Sequence, residues 1–394
     1  MRLDFVEYCQ DKDLPSEWRL EGCQLGNVNL IVGKNASGKS RILGAINFLS
    51  GLLSGDKILR PDGVSGEWIV TFDADKEKEE KKVYILKVDN GQVVKESFTI
   101  GSKTYLDRTE SGTGKVWADK EGKDIDFQTP INGVAAFKRR DSIQHPVFDK
   151  IYDWAFSLRY YKFGTDLGKN RLAFVNYNSK NIDLKDTDKI VEIFNLGKEN
   201  FGNYFIKLIQ SDMLFVGYNI SEIDTETPAS ILFSDKGDEI PMQNLLQYIY
   251  VQESDLKDKT EQVLMSQGMF RALSIIIQIN YSLLSKKPSC ILIDDIGEGL
   301  DFERASAMIK LLISKAQTGL VQLIMTTNDR FIMNGVPLEY WSVIERKSGL
   351  AKLHNIHNSK EIFDDFKFTG LNNFDFFATQ FYIEGFGNEE NIEE

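Results

Sequence analysis

The 394-residue chain is long enough to bury a sizeable core in two or three domains, and 42% hydrophobic with 27% charged residues is an ordinary globular composition. Forty-seven Lys and Arg against 59 Asp and Glu give a net charge of −12, which counts against a broad surface for non-specific nucleic-acid binding. Three cysteines (Cys9, Cys23, Cys290) and three histidines (His145, His354, His357) imply neither a disulfide framework nor a zinc site.

Met1 to Phe5 has no signal-peptide core, and nowhere do about 18 uncharged apolar residues run together. The expectation is a soluble, cytoplasmic protein with no membrane partner. Short alternations at Leu3-Asp4-Phe5 and Trp18-Arg19-Leu20 predict two strands. An apolar run, Leu30 to Val32, then ends in Gly33-Lys34-Asn35-Ala36-Ser37-Gly38-Lys39-Ser40, and a helix-compatible segment from Ile42 to Leu53 follows. Strand, Gly-x-x-x-x-Gly-Lys-Ser and helix is the context of a phosphate-binding loop. Gly33 and Gly38 are expected to adopt backbone conformations closed to other residues, turning N–H groups toward phosphate oxygens. The helix N-terminus adds partial positive charge. Lys39 would reach the β- and γ-phosphates and the Ser40 hydroxyl would ligate Mg²⁺, so Gly33, Asn35, Ser37, Gly38, Lys39 and Ser40 are the candidate nucleotide-binding set.

Beyond this helix, Glu67 to Phe72 and Val83 to Val88 have strand composition, and Asn90-Gly91 supplies a hairpin turn. The charge run Lys76 to Lys82 reads as a solvated loop tip. From Asp141 to Ile209 the pattern turns helical, with Phe148, Ile151, Tyr152, Trp154, Ala155 and Leu158 near a 3.6-residue period. Lys138-Arg139-Arg140 is the compact basic cluster where a nucleic-acid contact would lie, and direct nucleic-acid binding stays open. Strands are expected again at Met213 to Tyr218, Ile231 to Phe233 and Leu246 to Val251. His354 and His357 stand at what reads as a surface strand end, and Gly387 to Glu394 as a frayed acidic tail.

Two further segments carry chemistry. Cys290-Ile291-Leu292-Ile293-Asp294-Asp295 reads as a buried parallel strand whose carboxyl end holds two carboxylates, where α/β sheets place ligands. Asp294 is the candidate Mg²⁺ ligand with Ser40, and Asp295 a candidate to orient or deprotonate a water. Upstream, Met265-Ser266-Gln267-Gly268 opens a long apolar helix with Ser266 as N-cap.

Taken in order, Gly33 to Ser40, Met265 to Gly268, Ile291 to Asp295, Gly299-Leu300-Asp301 and Ile324 to Asp329 resemble the ATP-binding-cassette class. Within it the chain is similar to the heads of chromosome-maintenance and RecF-type proteins and to OLD-like ATPases of bacterial defence, where Asn35 is typical. The resemblance implies an α/β fold: an ABC-ATPase-like head, with a mixed sheet plus antiparallel β subdomain, carrying a helical insertion. Residues 1–120 would form an N-terminal lobe, 121–212 the insertion and 213–394 a C-terminal lobe. The resemblance also implies ATP and Mg²⁺ as ligands and a homo-oligomer built on ATP-sandwich dimers. Ser266 and Gly268 of one head would contact the γ-phosphate on the other, with Gly299 to Asp301 as the loop crossing that interface.

Two departures point to slow turnover with ATP as a conformational clamp. Asp295 stands where the class has Glu, with Glu298 a second candidate for the water-orienting role. Asn328 stands at the switch position usually held by His and cannot exchange protons. The late acidic motifs of a Toprim nuclease are missing, and Phe381 to Gly385 reads as a strand or docking tail. The compact layout is most similar to ATPase subunits of PARIS-type anti-phage systems. That resemblance implies a separate Toprim-type nuclease as effector and a phage-encoded protein as trigger. A RecF-like repair ATPase and a non-hydrolysing nucleotide-gated scaffold remain alternatives.

Overall fold

The computed structural model describes residues 1–61, 63–73, 80–174, 183–227 and 246–386. The chain divides into two compact units, Met1–Leu158 with Val336–Glu394, and Arg159–Gly335. The first unit begins with β1 (Leu3–Gln10), β2 (Trp18–Gln24) and β3 (Val28–Val32), followed by α1 (Lys39–Ser54). Six strands follow: β4 (Gly66–Phe72), β5 (Lys82–Asp89), β6 (Gln92–Ile100), β7 (Lys103–Thr109), β8 (Thr113–Ala118) and β9 (Lys123–Gln128). They form an antiparallel run in sequence order, with β4 pairing β1. Alternate residues such as Trp68, Val70 and Phe72, then Tyr84, Leu86 and Val88, are buried, the period-2 pattern of a half-covered sheet. Asn90 and Gly91 both have positive φ, so the β5–β6 hairpin turns where the sequence places it.

Two helices close this part of the unit, α2 (Ala135–Lys138) and α3 (Val147–Ser157). The buried Glu96 carboxylate accepts from the Ala135 and Ala136 N–H groups, both at 2.7 Å, from the Tyr84 hydroxyl at 2.9 Å and from Arg108 at 3.3 Å. Four donors on one buried carboxylate fasten α2 to the sheet. On α3, Phe148, Ile151, Trp154 and Ala155 are buried, and the Ala155 carbonyl accepts from Ser50 on α1 at 2.8 Å.

The second unit contains β10 (Arg159–Lys162), β11 (Ala173–Phe174), α4 (Ile190–Phe215), β12 (Ile220–Glu226), β13 (Leu246–Glu253) and β14 (Thr260–Glu261). It continues with α5 (Gln267–Leu284), β15 (Ser289–Asp294), α6 (Phe302–Ala316), β16 (Val321–Thr327) and α7 (Arg330–Gly335). Strand β15 lies between β10 and β16, all parallel. Its residues Cys290 to Ile293 and all of β16 are buried, as strands covered on both faces must be. A small antiparallel sheet joins β13 to β11, β12 and β14. Helices α4, α5 and α6 are tied by a polar cluster in which Asp212 accepts from Asn280 at 2.6 Å and from Lys315 at 2.7 Å.

The strand expected at Met213 to Tyr218 is instead the end of α4. Ile209 and Met213 are buried one turn apart, continuing the helical period, and Gly217, at φ 93°, stops the helix. The Tyr218 N–H closes the cap on the Met213 carbonyl at 2.8 Å, and the Gly217 N–H on that of Leu214 at 3.0 Å. Residues 121–212 hold α2, α3 and most of α4, but also β9, β10 and β11. The strand expected at Ile231 to Phe233, most of the charge run beginning at Lys76, and the acidic tail lie outside the described residues.

The chain then returns to the first unit through a 3-10 turn (Leu338–Tyr340), β17 (Trp341–Lys347), β18 (Leu350–Asn355), α8 (Lys360–Phe366), α9 (Asn373–Ala378) and α10 (Phe381–Glu384). Strand β17 pairs in parallel with β3, and β18 in parallel with β2. Phe381 to Glu384, expected as a strand or tail, is helical because its rings pack inward: Phe381 lies 5.2 Å from Phe366 and Tyr382 6.2 Å from Phe376.

Candidate functional site

In the first unit, β3 is buried throughout and delivers the chain to Gly33. Gly33 does not have the left-handed backbone expected of it. It must be glycine because a Cβ there would collide with Ile344 on β17. The left-handed positions are Ala36, at φ 59°, and Gly38, at φ 111°. Gly38 also lies against the indole of Trp18, where a Cβ would approach to 3.1 Å, and as N-cap of α1 it has no side chain to occupy the first-turn N–H groups. The Lys39 ammonium is buried and donates to the carbonyls of Gly33 at 2.8 Å and Lys34 at 3.0 Å, folding back over the loop. The Ser37 hydroxyl is buried without a hydrogen-bond partner among the described residues. Asn35 and Ser40 are exposed. On the outer side, Arg346 donates to the Ala36 carbonyl at 2.6 Å.

In the second unit, β15 ends at Asp294. Its Oδ1 accepts from the Thr326 hydroxyl at 2.7 Å and its Oδ2 from the Tyr160 hydroxyl at 3.4 Å. Thr326 in turn accepts from the Asp295 N–H at 2.9 Å, so one hydroxyl on β16 orients both carboxylate residues. Burial, and then the charge of Asp294, raise the Tyr160 phenol, which holds it protonated as a donor. Asp295 is left-handed at φ 55° and half-buried, whereas the Glu298 side chain is exposed. Asn328 is exposed just past β16.

The segment Met265 to Gly268 sits beside the turn after β15. Ser266 caps α5 by accepting from the Met269 N–H at 3.1 Å. A Cβ on Gly268 would collide with the Gly299 carbonyl, and one on Gly299 with the Arg271 guanidinium. That guanidinium donates to the Glu298 carbonyl at 2.7 Å and the Thr165 carbonyl at 3.3 Å, and burial lowers its pKa. Helix α5 and the 298–301 loop are thus packed as one block. Asp301 caps α6, accepting from the Arg304 N–H at 3.0 Å and its guanidinium at 2.7 Å, and these bonds hold its carboxyl below the usual range.

Residues 28–334 match an AAA-domain family described as putative AbiEii toxin, type IV TA system. The chain belongs to this AAA-domain family. Among solved structures, the AAA chain is similar to an Smc head bound to the C-winged helix domain of ScpA, at 14% identity and a TM-score of 0.52, covering 90% of this chain and 97% of that one. It is also similar to an Smc head domain with an extended coiled coil bound to the C-terminal domain of ScpA, derived from Pyrococcus furiosus. There the identity is 12% and the TM-score 0.50, covering 93% and 99% of the two chains. These likenesses show the fold alone: a mixed α/β head, the fold class expected from the sequence. No curated protein matches.

For this AAA protein, the sequence reading of the site missed Tyr160, Thr326, Arg271 and Arg346. Thr326 lies inside the motif that ends in Asn328, and Arg271 five residues past Ser266, where the sequence singles out only Ser266 and Gly268. Tyr160 and Arg346 reach their partners through strand pairing, which leaves no local signal. The basic cluster is engaged with its own unit: Arg139 lies 5.4 Å from the Phe127 ring, and Arg140 3.6 Å from the Tyr152 ring and 3.7 Å from Asp149. His354 is not on the surface. It is buried on β18 and pairs with Glu345 at 2.8 Å, while His357 is exposed in the turn beyond. Among the described residues, no group of three or more His, Cys, Asp or Glu is placed to hold a metal. A magnesium ion held largely by phosphates and waters needs few protein oxygens, and the Ser40 hydroxyl of the phosphate loop is a donor of that kind. No helix among the described residues is long and apolar enough to cross a membrane.

Proposed function

We propose that the chain is a slow ABC-type ATPase acting as sensor and regulatory scaffold in an anti-phage defence system. It holds a separate effector, a Toprim-type nuclease, and releases it in response to a phage protein, the PARIS-type arrangement. The observation that carries the nucleotide part is the loop at 33–38. Its two left-handed residues, its buried Ser37 hydroxyl, without a partner among the described residues, and its folded-back Lys39 fit a phosphate chain. Gly33, Asn35, Ser37, Gly38, Lys39 and Ser40 would bind ATP, and Ser40 and Asp294 are the residues that would hold Mg²⁺, which when bound would neutralise phosphate charge.

The chain's own residues do the rest. Thr326 and Tyr160 fix the Asp294 carboxylate. Asp295, half-buried and pinned through its N–H, orients the attacking water in preference to the exposed Glu298. Asn328 hydrogen-bonds near the same water without exchanging a proton. Ser266 and Gly268 contact the γ-phosphate held by a second copy, making ATP the clamp of a homodimeric unit in a larger homo-oligomer.

The family's description as a toxin of a type IV TA system supports a role in bacterial conflict. The Smc heads named above are each bound to a separate protein, ScpA, which supports a head of this fold as a docking platform. Affinity purification from the native operon with ATP and Mg²⁺, followed by mass determination, tests the proposal. A stoichiometric nuclease is expected. Recovery of DNA, or of a lone monomeric head, would overturn the scaffold reading.

A further inference from the structure

The phosphate loop carries an alanine where the backbone asks for glycine. Ala36 sits at φ 59°, a conformation that disfavours an L side chain by about tenfold or more in population, whereas glycine enters it freely. A left-handed residue turns neighbouring N–H groups toward one side of a loop, the concavity an anion occupies. Something must hold Ala36 there before a ligand arrives.

The holding contact comes from β17. Val343 on this strand pairs with Val32, so the chain beyond it runs alongside the phosphate loop. Ile344 fills the space left by the missing Cβ of Gly33, and Arg346 donates a 2.6 Å hydrogen bond to the Ala36 carbonyl. A guanidinium bonded to a carbonyl is a charge-assisted hydrogen bond, stronger than one between neutral groups. On the other face, Trp18 packs on Gly38 and is itself covered by Arg41 at 4.8 Å. The loop is therefore held from both sides by residues outside it.

We infer that Arg346 is a positioning residue for nucleotide binding: it clamps Ala36 in the left-handed conformation and so keeps the loop in its anion-accepting shape. This rests on the nucleotide-binding reading above. Removing the clamp lets Ala36 relax toward right-handed backbone, and binding must then restore the loop at the expense of affinity. A glycine at position 36 needs no clamp.

The test is equilibrium binding of Mg-ATP to the full chain by calorimetry, with the unfolding midpoint of each variant measured without nucleotide. Arg346→Ala is expected to weaken binding about tenfold with an unchanged midpoint, since an exposed guanidinium lost from the surface scarcely affects the core. Adding Ala36→Gly to Arg346→Ala is expected to restore affinity to within about threefold of the parent. A purely structural arginine would not be rescued by a change in the loop. Unchanged affinity in Arg346→Ala, or no rescue by Ala36→Gly, would overturn the inference. A parent chain that does not bind Mg-ATP, or a Lys39→Ala variant that binds it equally well, would instead overturn the nucleotide reading on which the inference rests.

Discussion

At the scale of single residues, Thr326 is the point where two strands agree on one carboxylate. Its hydroxyl donates to Asp294 and accepts from the Asp295 N–H, both within 2.9 Å. Replacing it with valine keeps the shape and removes both bonds. Thr326→Val is expected to lower kcat about ten- to a hundredfold, the usual loss when a group orienting a metal-binding carboxylate is removed. ATP affinity should stay within about threefold, and Thr326→Ser should recover most of kcat. Steady-state kinetics of the three proteins check this, and an equal loss in Thr326→Ser would reject the hydrogen-bonding role. Residues at this scale were only half legible in the sequence. Gly33 and Gly38 were readable as required glycines. The reason for Gly33 was not, because Ile344 lies far along the chain and arrives through a parallel pairing.

Among elements, helix α5 and the 298–301 loop form the block on which hydrolysis is proposed to depend. Gly268 is needed because its α-carbon faces the Gly299 carbonyl, and Arg271 binds the neighbouring Glu298 carbonyl beneath. Gly268→Ala forces the two backbones apart. The expected outcome is a fall of several degrees in the unfolding midpoint, from about 1–3 kcal/mol of overpacking, together with loss of phosphate release. A variant with unchanged midpoint and turnover would mean that the block tolerates separation. The strand–loop–helix of β3 and α1 and the strand β15 were legible because burial and periodicity coincide there. The end of α4 was not, since Met213 to Tyr218 is apolar enough to read as a strand and only Gly217, acting as a helix stop, decides otherwise. The helix at Phe381 was hidden because it is stabilised by rings on α8 and α9 rather than by its own sequence.

At the level of the whole molecule, the order of motifs along the chain carried the fold class, because each motif fixes a strand end or a helix start in a known succession. The family match over residues 28–334 and the Smc-head likeness agree with it. The net charge of −12 and the engagement of Arg139 and Arg140 with their own unit count against a broad DNA-facing surface. The proposed partner, trigger and oligomer leave no such trace, since a docking surface is specified by shape that only a partner completes. Slow hydrolysis of ATP is the claim on which the rest depends. The most direct measurement is steady-state phosphate release from Mg-ATP by the full chain beside Lys39→Ala and Asp295→Ala. Slow, saturable release by the parent is expected, with none from Lys39→Ala and ATP retained in a dimer by Asp295→Ala. No release from the parent, or equal release from Lys39→Ala, would contradict it.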